Sequence, residues 1–252
     1  MHTLRTRFKR DIIAEFLPPQ GRAKRRADKV IIFCGGMPGV PAKRPLLEFF
    51  SKKGYWVFLP RYRGSWESGG KFLRISPEKD ILDIISELPR GFKSLWDGKK
   101  YRVRPSKLFL FGSSFGGPAA LLASRDPRVT KIVALSPVVD WCAPSKEEPL
   151  DKLFRFVQSA FGEGYRVSKK DWNKLKSGTF YNPMAHFKEI DGKKLFIIHA
   201  KDDEIVGWRP VQKFAELTGS RLILLKKGGH SASSLLTKPK FYKAIAKFLR
   251  SK

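Results

Sequence analysis

Short apolar runs recur through this chain, and each stops abruptly at Gly, Pro or charge. Val30–Cys34, Tyr55–Pro60, Lys107–Phe111, Lys131–Leu135, Leu195–His199 and Arg221–Leu225 are such runs. A strand with one face in water alternates polar and apolar residues, whereas a near-continuous apolar run is a strand covered on both faces. Stretches with helical spacing lie between the runs. Ile81, Ile84, Ile85 and Leu88 fall on one helical face within Pro77–Leu88, and Ser76-Pro77 reads as an N-cap followed by proline at the first helical position. Pro45–Lys52, Pro118–Ser124 and Pro239–Ser251 read as further helices, and Asp11–Leu17 as a leading strand. Strands alternating with helices predict an α/β fold built on a doubly wound, mostly parallel sheet. The length, 252 residues, suits a single domain over 1–252.

The rhythm breaks after Trp141. The stretch to His186 carries charge and many aromatics, among them Trp141, Phe154, Phe161, Trp172 and Tyr181. Residues 141–188 are therefore expected to form an inserted helical cap over the strand ends. Trp141, Phe154 and Trp172 are candidates for lining an apolar substrate pocket beneath it. Doubly wound sheets place ligands beyond the carboxyl ends of their strands, so chemistry is sought there.

Lys107–Phe111 ends in Gly112-Ser113-Ser114-Phe115-Gly116, with a helix-forming run directly after it. A strand, a tight turn with Ser at its apex and a helix give a G-x-S-x-G pattern chemical meaning. The turn strains the backbone at the Ser, so residues two away must be small, and the hydroxyl stands clear of the sheet. A Ser is a weak nucleophile without a base and a group to orient that base. Two later strands end in suitable residues. Leu195–His199 leads into Asp202-Asp203-Glu204, and Arg221–Leu225 into Gly228-Gly229-His230. Ser114, an acid and His230 thus each follow a strand of one parallel sheet. Asp140, after Lys131–Leu135, is a lesser candidate for the acid.

With these residues in view, the chain from about Asp11 onward resembles the α/β-hydrolase superfamily. It is most similar to serine esterases and to catalytic domains related to prolyl oligopeptidase and acylaminoacyl peptidase. Gly112–Gly116 match the nucleophile elbow. His199–Val206 is similar to the family's H-G-x-x-D-x-x-V, with Ala200 in place of Gly, and this register selects Asp203. Gly229-His230 matches the Gly-His of the last loop. Tyr62-Arg63-Gly64 with Ser68-Gly69 looks like the Y-R-G-x-x-x-S-G loop. The resemblance implies Ser114 as nucleophile, His230 as general base and acid, and Asp203 as the group that orients the imidazole. An oxyanion hole needs two amides. Phe115 would supply one. The other would come from Gly35-Gly36-Met37-Pro38-Gly39, which looks like the family's H-G-x-P or H-G-G loop without its usual His. Aligning Pro38 assigns Met37, and aligning the glycine pair assigns Gly36.

The implied activity is hydrolysis of carboxylic esters through an acyl-enzyme. A serine peptidase of acylaminoacyl or prolyl type acting on short peptides is the alternative. Such peptidases usually carry a propeller that a chain of this length is too short to hold. A polyanion-binding protein that keeps the fold is the non-enzymatic rival, because net charge is +28, from 51 Lys and Arg against 23 Asp and Glu. The cations are spread along the chain, with the densest cluster at Arg22, Lys24, Arg25 and Arg26. There is no zinc-finger spacing or RRM signature, so no specific nucleic acid is expected. No metal-ligand spacing, dinucleotide fingerprint or P-loop is present, so no metal and no cofactor are expected. His199 reads as a strand-end packing residue, and Arg61 and Arg63 as residues that pin loops near the site. No run of eighteen apolar residues occurs, so no transmembrane segment is expected. Cys34 and Cys142 make no disulfide framework, and a cytoplasmic location is expected. Asn occurs only at 173 and 182, a depletion that with abundant Lys suggests a thermophilic origin.

Overall fold

The computed structural model of the protein describes residues 2–20, 28–143, 149–230 and 233–251. The elements are β1 (Leu4–Phe8), β2 (Ile12–Leu17), β3 (Lys29–Cys34), α1 (Arg44–Lys52), β4 (Trp56–Pro60), α2 (Glu78–Glu87), β5 (Phe92–Lys93), β6 (Lys100–Tyr101), β7 (Lys107–Ser113), α3 (Gly116–Ala123) and β8 (Lys131–Leu135). There follow α4 (Leu150–Phe161), α5 (Lys169–Asn173), β9 (Leu195–Ala200), α6 (Trp208–Thr218), β10 (Arg221–Leu225) and α7 (Pro239–Arg250).

Eight strands form one sheet in the order β1-β2-β4-β3-β7-β8-β9-β10. From β4 to β10 every pairing is parallel, and β1 and β2 add an antiparallel edge. The alternation of side chains explains the apolar runs. In β3, Val30, Ile32 and Cys34 enter one buried cluster, while Ile31 and Phe33 enter the other. Helices α2, α3 and α6 cover the first face through Ile81, Ile84, Ala119 and Phe214. Helices α1 and α7 cover the second through Leu47, Phe50, Ile245 and Phe248. The doubly wound, mostly parallel sheet expected from the sequence is the one found.

Three local features differ from expectation. A strand, β1, precedes Asp11–Leu17 and pairs Leu4–Phe8 with Ile12–Phe16 through a tight turn at Lys9 and Arg10, both at positive φ. A second hairpin, β5–β6, packs on the sheet through Phe92 and Tyr101. Ser76 makes no N-cap bond to an amide of α2; its hydroxyl bonds the carboxylate of Glu78 instead. The basic cluster at residues 22–26 lies outside the described residues. No helix among the described residues is long and apolar enough to cross a membrane.

Candidate active site

The turn after β7 carries Ser114 at φ +50°, a conformation rare for a residue with a side chain. Its amide donates to Leu135 O (3.0 Å), and its own carbonyl accepts from Gly117 N (2.9 Å) and Val138 N (3.2 Å). The surroundings hold the strain in place. A Cβ on Gly116 would sit 2.1 Å from Cys34 O, and one on Gly112 would sit 2.6 Å from Gly116 O. Only glycine lets β7, α3 and the end of β3 approach this closely. Phe115 opens α3 with its ring buried, and its carbonyl accepts from Tyr181 Oη at 2.6 Å.

The glycine loop after β3 runs directly past Ser114. A Cβ on Gly36 would lie 3.3 Å from Ser114 Cβ, so the backbone there passes close to the serine. Met37 is buried. The loop is held at both ends. Tyr62 Oη donates to Gly35 O (3.2 Å), and Trp66 Nε1 donates to Gly39 O (3.2 Å). Gly39 N donates to Tyr165 Oη (3.2 Å), which in turn lies 3.3 Å from Gly39 O. Tyr62 opens the Y-R-G-x-x-x-S-G stretch and Trp66 lies within it, so one task of that stretch is to fix the glycine loop. Arg61 is 3% exposed and bonds Glu15 (2.7 Å) and Glu67 (3.1 Å). Arg63 bonds Asp11, Asp80 and Asp83 at 2.6–2.8 Å.

Asp203 follows β9, and its side chain is fully buried. Oδ1 accepts from Ile205 N (3.0 Å) and Val206 N (2.9 Å), and Oδ2 lies 2.9 Å from His230 Nδ1. Burial alone would raise its pKa. The hydrogen bonds from His230 and Val206, with the nearby imidazoles, outweigh burial and hold the carboxyl below the usual carboxylate range. Its neighbours serve elsewhere. Asp202 accepts from Gly228 N (3.2 Å) and Gly229 N (2.9 Å), which shapes the turn before His230. Glu204 is exposed. Asp140 Oδ1 accepts from Cys142 N and Asn182 Nδ2, each at 3.0 Å.

His199 has a part that its strand-end position did not reveal. It is fully buried, with Nε2 2.8 Å from Val206 O and 3.3 Å from Asp203 Oδ2. Burial pushes its pKa down, so the ring is a neutral donor behind the carboxylate. The H-x-x-x-D spacing of the sequence carried this signal. His186 pairs with Glu189 at 3.0 Å.

Two cavities meet at Ser114. One, of about 380 Å³, is lined by Phe115, Val139, Trp141, Leu153, Val206 and Val211. The other, of about 480 Å³, is lined by the glycine loop, Tyr62, Trp66, Tyr165 and His230. Met37 and Ser114 border both. The segment between β8 and β9 contributes Leu150, Leu153 and Lys176 to the first cavity through α4 and the turn after α5. Of the three aromatics expected to line a pocket, Trp141 does. Phe154 and Trp172 pack on each other instead, with ring centroids 5.5 Å apart. Trp172 is fully buried and donates from Nε1 to Leu150 O (2.9 Å). A large ring with a single N–H is buried most favourably where that donor meets a carbonyl, and the first residue of α4 supplies one.

Comparison with known proteins agrees with this architecture. Over 99% of its length the chain superposes on 89% of an esterase of Pyrococcus furiosus (TM-score 0.66, 19% identity). It also superposes over its whole length on 42% of the acylaminoacyl peptidase of Pyrococcus horikoshii (TM-score 0.65, 20% identity). The fold is that of the α/β hydrolases. Residues 43–252 match the prolyl oligopeptidase family, Peptidase_S9, and the chain belongs to that family. A thermostable monoacylglycerol lipase of Bacillus sp. (strain H-257) is 30% identical over 112 residues, which span 44% of this chain and 41% of the lipase.

Proposed function

We propose that this hydrolase cleaves carboxylic esters, with Ser114 as nucleophile, His230 as general base and acid, and Asp203 as the orienting carboxylate. The observation that carries the reading is the buried Asp203 carboxylate against His230 Nδ1, with His230 and Ser114 on the wall of one cavity. In this reading Asp203 keeps the His230 proton on Nδ1, leaving Nε2 to accept the proton of Ser114 Oγ as the oxygen attacks the acyl carbon. The carbonyl electrons move to an oxyanion, which the amides of Phe115 and of Met37 or Gly36 would hold. His230 then returns the proton to the departing alkoxide, and an acyl-enzyme remains. Water, deprotonated by the same imidazole, releases the acid.

An acyl chain suits the first cavity, whose wall is aliphatic and aromatic around Val139, Leu153 and Val211. The β8–β9 segment would act as a cap over it. Family membership favours one second reading, a peptidase acting on short blocked peptides. Short- and medium-chain aryl esters, blocked dipeptide anilides and a fluorophosphonate probe separate the readings when applied to wild type and S114A. Ester turnover and labelling that S114A abolishes are the expected result. Anilide turnover exceeding ester turnover would transfer the assignment to the peptidase. Labelling that persists in S114A would remove Ser114 from the mechanism.

A further inference from the structure

The β5–β6 hairpin keeps two unfavourable arrangements that nothing in the catalytic reading uses. The first is apolar exposure. Leu95 is 53% exposed and Trp96 67%, side by side at the tip. The tip is held in this conformation. Ser94 Oγ accepts from Trp96 N (3.3 Å) and Asp97 N (3.4 Å), and Gly98 N bonds Ser94 O (3.1 Å) with Gly98 at φ +69°. Leu95 N is tied to Arg5 O (2.8 Å) and Lys93 O to Thr6 Oγ1 (2.9 Å). Two adjacent apolar side chains are thus presented on a braced turn.

The second is like charge. Lys93 and Lys100 are cross-strand partners, an arrangement that disfavours pairing. Residues 90–104 hold Arg90, Lys93, Lys99, Lys100, Arg102 and Arg104 against Asp97 alone. Among the described residues Lys93, Lys100, Arg102 and Arg104 form no ion pair, and all four are exposed. What holds the strands together is the other face. Phe92 stacks on Tyr101 (5.7 Å, 22°) and meets Phe16 edge-on at 5.2 Å.

We infer that this hairpin docks the protein on an anionic lipid surface. Trp96 and Leu95 would enter the boundary between headgroups and acyl chains while the surrounding lysines and arginines meet lipid phosphates. Each arrangement that is unfavourable in water becomes favourable there. Tryptophan suits a plane with one wet and one apolar side. Leucine has no π-face, so the pair fits a hydrocarbon boundary better than a stack of bases. Tyr101 packs on Trp56, the first residue of β4, which places the hairpin towards the amino ends of the parallel strands and away from the cavities at Ser114. The proposal therefore stands or falls apart from the hydrolase reading.

Co-sedimentation with vesicles of phosphatidylcholine, alone or with one third phosphatidylglycerol, is the test. Wild type is expected to bind the anionic vesicles and to be released by salt. L95S/W96S is expected to lose affinity by about tenfold or more. K93Q/K100Q should lose roughly fivefold per lysine. The lysine variant leaves Phe92 and Tyr101 untouched, so it keeps the test valid if the tip variant misfolds; melting curves identify that case. Three outcomes overturn the inference. Wild type could fail to bind anionic vesicles. Both variants could bind like wild type, which would assign binding to the diffuse charge. Or the variants could lose affinity for a single-stranded polynucleotide while keeping it for vesicles, which would assign the surface to nucleic acid.

Discussion

Replacing Asp203 by Asn changes almost no volume and removes one charge, and the surrounding donors fix which way the new amide points. The oxygen that accepts from Ile205 N and Val206 N, at 3.0 and 2.9 Å, has two backbone donors that cannot move away. The Asn carbonyl therefore stays there and its NH2 takes the place of Oδ2. That group then faces His230 Nδ1 at 2.9 Å and His199 Nε2 at 3.3 Å. The carbonyl stays 3.1 Å from His230 Nδ1, but the nearer NH2 now meets it N–H to N–H, so the Nδ1–H tautomer loses its shorter bond and the proton shifts towards Nε2. The Nε2–H tautomer cannot accept a proton from Ser114. The expected loss in kcat is about 10⁴, equivalent to roughly 5 kcal/mol, with KM little changed.

Asp202→Asn is the matched control. Its two oxygens serve Gly228 N and Gly229 N, and loss of one such bond costs about 1 kcal/mol, so kcat should fall less than about tenfold. Steady-state rates with a soluble aryl ester, beside melting curves, decide the matter. Asp203→Asn keeping more than a hundredth of wild-type kcat, or Asp202→Asn proving the worse of the two, would refute the assignment of the acid and the orientation argument with it.

Gly116→Ala would drive a methyl against Cys34 O and Gly35 O, both backbone, so we expect a loss of about 3 kcal/mol or more and a fall in melting temperature of about 6–12 °C. His199 carries a depressed pKa through burial, so folding holds it neutral while the unfolded chain takes up a proton below the ordinary histidine value of about 6.5. Stability from this residue is complete above that pH and falls as pH drops towards the folded pKa, by at most about 1.4 kcal/mol per unit. Urea titrations across that window should show a slope in wild type that His199→Phe reduces. Trp172→Ala is expected to cost about 3–5 kcal/mol, because a fully buried ring and its bond to Leu150 O are lost. Trp141→Ala, on the cavity wall, should instead act on KM for longer acyl chains, measured across an ester series.

How much of this was legible in the sequence follows from the range of each signal. A strand covered on both faces must be apolar at every position, so β3, β7, β8 and β9 declare themselves within five residues. β1 does not, because it is an edge strand in which Arg5 and Arg7 alternate with Leu4, Thr6 and Phe8. The β5–β6 pair is two residues long on each side and rests on rings contributed by β1, β2 and β4, so local pattern could not reveal it. Gly112, Gly116 and Gly229-His230 were readable because a tight turn restricts residue type locally. The aromatic residues of the β8–β9 segment were not. Hydrophobicity places a ring in apolar surroundings without telling core from cavity: each indole N–H finds a backbone carbonyl, Tyr181 O for Trp141 and Leu150 O for Trp172, yet only Trp141 borders the cavity.

The same limit hid the coupling between loops. Gly39, Trp66 and Tyr165 come from three separate stretches and meet at the backbone N–H and C=O of one residue, Gly39. Tyr165 belongs to the β8–β9 segment and Trp66 to the loop after β4, so the loop beside Ser114 is positioned from both sides of the second cavity. Without the Tyr165 hydroxyl, Gly39 would be held among the described residues by Trp66 alone. Tyr62 and Trp66 hold the two ends of the glycine loop beside Ser114, which gives a motif read as a family signature a physical reason to be where it is.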